Sequence, residues 1–457
     1  MPVSRTFRLF WHYPIIALIA TSQLQAGLSI IHQEPQNAAT RVCTDTPLQI
    51  TFNKNIQLGA SGKITVIRSR DGKVVETLDI TNKTPENDFG IKRLNYEPFR
   101  IKGNTLTVQL HSSALVSSTP ETYSIAMTPG MIRASSGESF TGLSDGTWTF
   151  TTREPLSAGK TKIVVAHKSE GDFCTLQGAV DSIPEDNFTP VEIQIRNGTY
   201  DSITYLGPGR NHVRIIGEDR KQTVLAGRNN ENLNIGRMGR AFLSVDSDHI
   251  TLENLSVHNT TPHKGSQAEA LRLEGQQCTI RNCDFISYQD TLLLNGRIYV
   301  HDCYIEGDVD FIWGHGTTFF ENCELKAVHD GYYVTSRNPK DRFGFVFLNC
   351  KLTASAGVKK NWLARIDATR FPHSAVAFIN CEMGAHIPEA AWLIAGETTQ
   401  HLQFLEYRSR LSNGEPIDTT QRHPASRQLS EEEAGRLSNP NHVLSNNPPW
   451  MPRASEN

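Results

Sequence analysis

The sequence predicts an all-β protein in two parts, a small β-sandwich followed by a right-handed parallel β-helix. Residues 27–154 read as short strands of alternating polarity separated by turns, with no sustained helical period. Beyond them, a polar residue followed by Cys or Leu recurs at steps near a solenoid's repeat, among strand-forming residues. A third observation bears on chemistry: the repeat carries an Asp at the same offset in three successive units.

The chain has 457 residues, and at roughly 150 residues per domain that is room for two or three domains. Hydrophobic residues make up 38% and charged residues 20%, which excludes disorder, collagen and coiled coil as the main architecture. Lys plus Arg number 45 against 48 Asp plus Glu, a net charge of -3, which excludes a broadly basic nucleic-acid footprint. Eight cysteines in such a length are too few for a disulfide scaffold.

Residues 1–26 read as an export signal. Arg5 and Arg8 precede a short apolar run from Tyr13 to Ala20, and the small residue Ala26 offers a cleavage point. The run is too short to span a bilayer, and no other segment is long and apolar enough, so no membrane span is expected. The mature protein is expected to be secreted or periplasmic.

In residues 27–154, Gln49 to Phe52 alternates polar and apolar, and Ile64 to Ile67 and Val74 to Leu78 flank a turn containing Asp71-Gly72. Leu106 to Leu110, Tyr123 to Met127 and Trp148 to Thr151 supply further strands. Short strands with regular turns suggest a sandwich of immunoglobulin type. Ile50 to Ile56 and Thr147-Trp148-Thr149-Phe150 resemble the Ig-like modules of bacterial surface and secreted proteins, which implies a spacer. Thr152 to Lys160, with Pro155 and Gly159, reads as a linker, so that residues 155–457 form the second part.

That part opens on Phe173 to Ile183, where Leu176, Val180 and Ile183 stand at helical spacing and suit a cap over the end of a solenoid. The repeat then runs Asn254-Leu255, Asn282-Cys283, Asp302-Cys303, Asn322-Cys323, Asn349-Cys350 and Asn380-Cys381. From Cys283 the steps are 20, 20, 27 and 31 residues. The cysteines are best explained as small apolar side chains stacked inward as free thiols, rather than as a metal site or disulfides. Ser430 to Glu433 is a capping-box pattern opening a short helix, and Pro448-Pro449-Trp450 reads as an extended end packed on the solenoid.

Seven residues after Cys283, Cys303 and Cys323 stand Asp290, Asp310 and Asp330. Equal offsets in stacked coils predict one column of neighbouring carboxylates. Like charges so placed are costly unless one is protonated or a cation intervenes. The column could be a solvated edge, a glycosidase-like carboxylate pair, or, with Asp308 and Asp310, an oxygen-rich calcium site as in lyases. Gln289 and Gln267 favour a carboxylate pair with split acidities working on an acyl group, because amide donors suit a developing oxyanion. Arg365 could keep one Asp ionised.

The segments Gln267-Ala-Glu-Ala-Leu-Arg272, Tyr288-Gln-Asp-Thr-Leu292 and Gly307-Asp-Val-Asp-Phe-Ile-Trp-Gly314 resemble the three central motifs of pectin methylesterases. Leu363-Ala-Arg365 resembles the fourth, with weaker echoes at Gly171 to Phe173, Asn197 to Tyr200 and Glu406 to Trp450. The resemblance spans about residues 160–452. It implies hydrolysis of methyl esters on galacturonate units of pectin through a covalent acyl-enzyme. Carried over by position, it makes Asp310 the nucleophile and Asp290 the general acid and then base. Gln289 becomes the oxyanion donor with Gln267 beside it, and Arg365 the partner of Asp310. Tyr288, Phe311 and Trp313 would line the sugar cleft together with Asp367. No cofactor and no metal are implied; the expected partner is methylated homogalacturonan, not nucleic acid, and the expected state is a monomer.

Three positions depart from the family pattern. The fourth motif normally runs Leu-Gly-Arg-Pro-Trp, and here Asp367 stands in place of the Trp that walls the sugar site. Glu269 replaces an apolar residue, and Trp313 replaces a Phe. Two extra carboxylates beside a polyanion predict repulsion, least for highly methylated pectin. A polysaccharide lyase or glycosidase, an esterase for another ester, and a non-catalytic polysaccharide-binding solenoid remain as alternatives.

Overall fold

The computed structural model describes Met1 and residues 27–157, 159–236, 238–445 and 448–452; the predicted export segment otherwise lies outside the described residues. Residues 27–152 form two antiparallel-dominated sheets, one of four strands and one of five, with smaller two-stranded pieces. The expected hairpin is present, with Lys63–Arg68 paired antiparallel to Lys73–Asp79. Leu48–Phe52 buries every second residue, which is why its alternation was readable. Trp148 is fully buried, and its indole N–H donates to the Pro35 carbonyl at 2.8 Å.

From Lys162 onward each coil of chain adds strands to two parallel sheets, of eleven and fifteen strands. In the eleven-stranded sheet the register aligns Ile280, Val300, Phe320, Phe347 and Phe378. Phe347 stacks between Phe320 and Phe378 with ring centroids 4.5 and 4.7 Å away. Such a row of aromatic rings fills the interior at the spacing of the strands.

The Asn-Cys ladder has a backbone cause. Asn254, Asn282, Asp302, Asn322, Asn349 and Asn380 all adopt positive φ, between 50° and 57°, at the sharp turn from one sheet to the next. Asn and Asp tolerate this left-handed conformation better than other side chains that carry a Cβ. The residue after each turn points inward: Leu255, Cys283, Cys303, Cys323, Cys350 and Cys381 are all buried, and the cysteines are free thiols.

The helix Leu176–Asp181 is shorter than the sequence suggested, with Thr175 as its N-cap, and buries Leu176, Ala179 and Val180. The sandwich is tied to this end of the solenoid. Asp45 accepts from the Cys174 and Thr175 amides and from the Thr175 hydroxyl, at 2.7–3.1 Å. Arg100 forks onto Asp201 at 2.7 and 2.8 Å. At the other end, Ser430 and Glu433 form the predicted capping box of the helix Glu431–Leu437. Arg297 donates to the Pro448 carbonyl at 2.8 Å, and Trp450 packs on an apolar cluster with Leu429 and Leu444. Among the described residues no helix is long and apolar enough to cross a membrane.

Candidate active site

The two longest strands, Tyr304–Gly314 and Glu324–Ser336, run side by side, and their register slips between Gly307 and Ile312. On its other side the first of them pairs with Asp284–Ile286 through its start and with Leu292 and Leu293 through its end. The irregular stretch between carries Asp308 and Asp310, and Asp310 sits at φ 49°. Bulges re-aim side chains out of the pleat, and here the bulge turns a carboxylate away from the packed interior.

Asp310 is 5% exposed and densely hydrogen-bonded. Arg365 Nε donates to its Oδ1 at 2.8 Å, Arg365 Nη2 donates to Oδ2, and the Thr335 hydroxyl donates to Oδ1 at 2.6 Å. This is the partner set of an anion held in one orientation. The Arg365 guanidinium supplies the counter-charge of this carboxylate.

Asp290, one coil back, also has a left-handed backbone, at φ 67°, and is 7% exposed. Burial pushes its carboxyl well above the ordinary range, with further upward pressure from Glu269 and Asp310; Arg240 and Arg337 act against them. Both carboxyls are nearly buried, and they differ in company: Asp310 accepts three hydrogen bonds from Arg365 and Thr335, while Asp290 is pressed by the Glu269 and Asp310 charges.

Like Thr335, Arg240, in the loop before Leu243–Val245, is a residue that sequence reasoning missed. It donates to Asp290 Oδ2 at 2.8 Å, to Glu231 at 2.9 Å, and to both oxygens of Glu269 at 2.8–3.0 Å. Glu269 is completely buried, so it adds no charge to a substrate cleft, contrary to expectation. Burial lifts its carboxyl and the guanidinium fork opposes that lift.

Gln289 and Gln267 are half-buried on neighbouring coils, where the Ala268 amide donates to the Gln289 carbonyl at 3.2 Å, and Gln267 Oε1 accepts from Ser266 at 3.1 Å. Tyr288 is half-buried beside the His263 ring. Two aromatic assignments need correction. Phe311 is fully buried with its ring 5.0 Å from that of Tyr333, so it is core and cannot touch a sugar. Trp313 is 4% exposed, with the Arg240 and Arg337 guanidiniums 5.6 and 4.8 Å from its ring; it supports these arginines rather than offering an open platform. The half-buried Tyr332, under the Arg365 guanidinium at 4.3 Å, is an aromatic surface the sequence did not single out. Asp367 is exposed, and its Oδ1 accepts from the Thr369 and Arg370 amides at 3.0 and 3.2 Å, fixing the turn after the strand Asn361–Asp367.

Asp330 does not join the column. Across the bulge Gly307 faces Ala327 but Val309 faces Tyr332, so the offset of 20 residues grows by three. The Asp330 carboxylate is exposed and accepts from the Lys359 and Lys360 amides at 2.7 and 3.0 Å, which lower its pKa. Equal sequence offsets predict a column only where coils have equal numbers of in-register residues.

Two buried carboxyls, one gripped by Arg365 and one pushed upward by burial, suit ester chemistry through a carboxylate nucleophile. Comparison with known proteins narrows the class. A pectinesterase family model matches residues 162–444, and a bacterial Ig-like domain model matches residues 25–152. Pectinesterase 31 of Arabidopsis thaliana is 30% identical over 288 residues, covering 60% of this chain and 89% of the relative. The structure of a pectin methylesterase from Yersinia enterocolitica is 27% identical, with a TM-score of 0.51, and covers 61% of this chain and 99% of that one. A pectin methylesterase from carrot has the same fold, with a TM-score of 0.59 at 19% identity, covering 66% of this chain and 98% of that one. The solenoid that carries the aspartate pair thus makes this chain a member of the pectinesterase family.

Proposed function

We propose that Asp310 is the nucleophile and Asp290 the proton donor in the demethylesterification of pectin. The family membership makes this chain a carboxylic ester hydrolase that releases methanol from methylated galacturonate. The observation that supports the two roles is the contrast between them: Asp310 accepts from Arg365 and Thr335, while burial drives Asp290 toward its protonated form.

Asp310 attacks the ester carbonyl carbon, and the carbonyl electron pair moves onto its oxygen. The side-chain amides of Gln289 and Gln267 are the donors at hand for that oxyanion. The intermediate collapses, the bond to the methoxy oxygen breaks, and the Asp290 proton leaves with it as methanol. Asp290, now a carboxylate, takes one proton from water as the water oxygen attacks the galacturonyl carbonyl carbon, and the bond from that carbon to the Asp310 oxygen breaks. Galacturonic acid departs and gives its remaining proton to solvent, leaving Asp310 a carboxylate and Asp290 protonated, as at the start. The half-buried Tyr288 and Tyr332 supply apolar faces for the sugar rings.

Residues 1–26 act as an export signal that delivers a monomer outside the cytoplasm, with the sandwich of residues 27–154 as a spacer for the catalytic residues 155–457. The Ig-like and pectinesterase matches support the division between the last two. Purified residues 27–457 incubated with highly methylated pectin should release methanol with no shortening of the polymer. Chain shortening without methanol would point to a lyase or glycosidase instead.

A further inference from the structure

Beside the aspartate pair lies a group of side chains that the ester chemistry does not use. His263, from the loop after Ser256–Asn259, Asp308, from the bulged strand, and His329, from its neighbour, bring their ligand atoms within 4.8 Å of one another. Asp308 Oδ2 lies 3.1 Å from His263 Nδ1 and 3.4 Å from His329 Nδ1. Tetrahedral ligands at about 2.0–2.1 Å from a zinc ion stand roughly 3.4 Å apart.

A hydrogen-bonded His-Asp-His cluster would show the same residues, but its N–H groups would point along the line to the carboxylate. Here His263 Nδ1 is buried and makes no hydrogen bond although the carboxylate oxygen is close. Asp308 is 4% exposed; its Oδ1 accepts from the Val309 amide at 2.6 Å, and Oδ2 is turned to the two imidazoles.

We propose that His263, Asp308 and His329 bind a divalent transition-metal ion of the zinc type. Two imidazole nitrogens and one carboxylate suit zinc, nickel or iron far better than calcium or magnesium, which take oxygen ligands. The His263 and His329 side chains keep 31% and 46% of their surface exposed, so the remaining coordination position opens to solvent. Tyr288 lies 5.3 Å from the His263 ring and 5.7 Å from that of His329. The ion therefore stands at the rim of the candidate cleft. Granting the pectin reading, an unesterified galacturonate carboxylate is the anion available as its fourth ligand.

The test is zinc titration of chelator-treated, dialysed protein by calorimetry, repeated with cobalt followed by visible absorption. One equivalent should bind, with cobalt d–d bands and no sulfur charge-transfer band. His329→Ala, at a half-exposed position that leaves packing intact, and His263→Ala should each weaken zinc at least tenfold, about 1.4 kcal/mol. The double variant Cys43→Ser, Cys174→Ser should bind as the parent does; it removes the other cluster of potential ligands, Cys43, Asp45 and Cys174. Thermal unfolding in chelator, unchanged in both histidine variants, shows that the fold is intact. Failure of the parent to bind zinc, binding unmoved by His329→Ala, or binding lost in the cysteine variant overturns the site. None of these readouts depends on pectin.

Discussion

Arg240 donates a 2.8 Å hydrogen bond to Asp290, linking the candidate proton donor to a loop fifty residues earlier in the chain. The same guanidinium forks onto Glu269, which is fully buried. One cation thus serves two buried carboxyls, and the balance among the three sets how readily Asp290 gives up its proton.

Arg240→Met removes that cation and leaves Glu269 and Asp290 buried without it. Breaking a buried pair by deleting one partner typically costs about 3–5 kcal/mol. Chemical denaturation at neutral pH should show a loss of that order, larger than for Arg365→Met, since the Arg365 side chain is 40% exposed.

Glu269→Gln tests the electrostatics on Asp290 without deleting the cation. Glu269 raises the pKa of Asp290 and Arg240 lowers it. Loss of the Glu269 charge takes away an upward influence and leaves Arg240 free to act on Asp290, so both effects push the pKa downward. Activity that needs protonated Asp290 is lost as pH rises through that pKa, so the basic limb of the kcat/KM profile should move to lower pH. A limb that stays in place or moves upward contradicts the assignment of Asp290 as the acid.

Much of this architecture was legible in the sequence because one backbone constraint repeats. Each coil needs a left-handed residue at its turn, followed by an inward side chain, and that writes Asn-Cys or Asn-Leu into the text. The Asp290 and Asp310 positions were legible for the same reason, since their coils are equal in length. Asp330 was misread because the stretch from Ala327 to Tyr332 holds three more residues than the stretch from Gly307 to Val309 that it faces, an insertion that no composition marks. Arg240 and Thr335 meet the aspartates, and Tyr332 meets Arg365, through tertiary contact alone, with no shared offset. Glu269 was misread as a surface charge, although its neighbours Ala268 and Ala270 are both buried, and its partner lies in a loop outside the repeat.

Asp367 shapes a turn as well as carrying charge, which alters what its replacement should do. A Trp there would add a stacking face but lose the bonds to the Thr369 and Arg370 amides. Asp367→Asn keeps the accepting oxygen and removes only the charge. It should lower KM for sparsely methylated, more anionic pectin and leave KM for highly methylated pectin nearly unchanged. Steady-state kinetics on the two substrates checks this; an equal change on both would mean the charge does not reach the polymer.

The cysteine ladder should be chemically silent. All eight cysteines are buried free thiols in the structure. A thiol reagent should find almost none in the native protein, and all eight in denaturant without reductant. Loss of ladder thiols to disulfides would mean that the interior of the solenoid is not the close-packed stack seen here.

The central claim is that Asp310 forms the bond to the substrate, and steady-state methanol release by Asp310→Asn tests it most directly. The amide keeps the shape but cannot attack, so the rate should fall by about three orders of magnitude or more, ~4 kcal/mol of barrier. Asp290→Asn should fall steeply as well, the double variant no further than the worse single one, while Asp330→Asn stays within about twofold of the parent. Asp310→Asn that folds as the parent does and still releases methanol at a comparable rate would contradict the account.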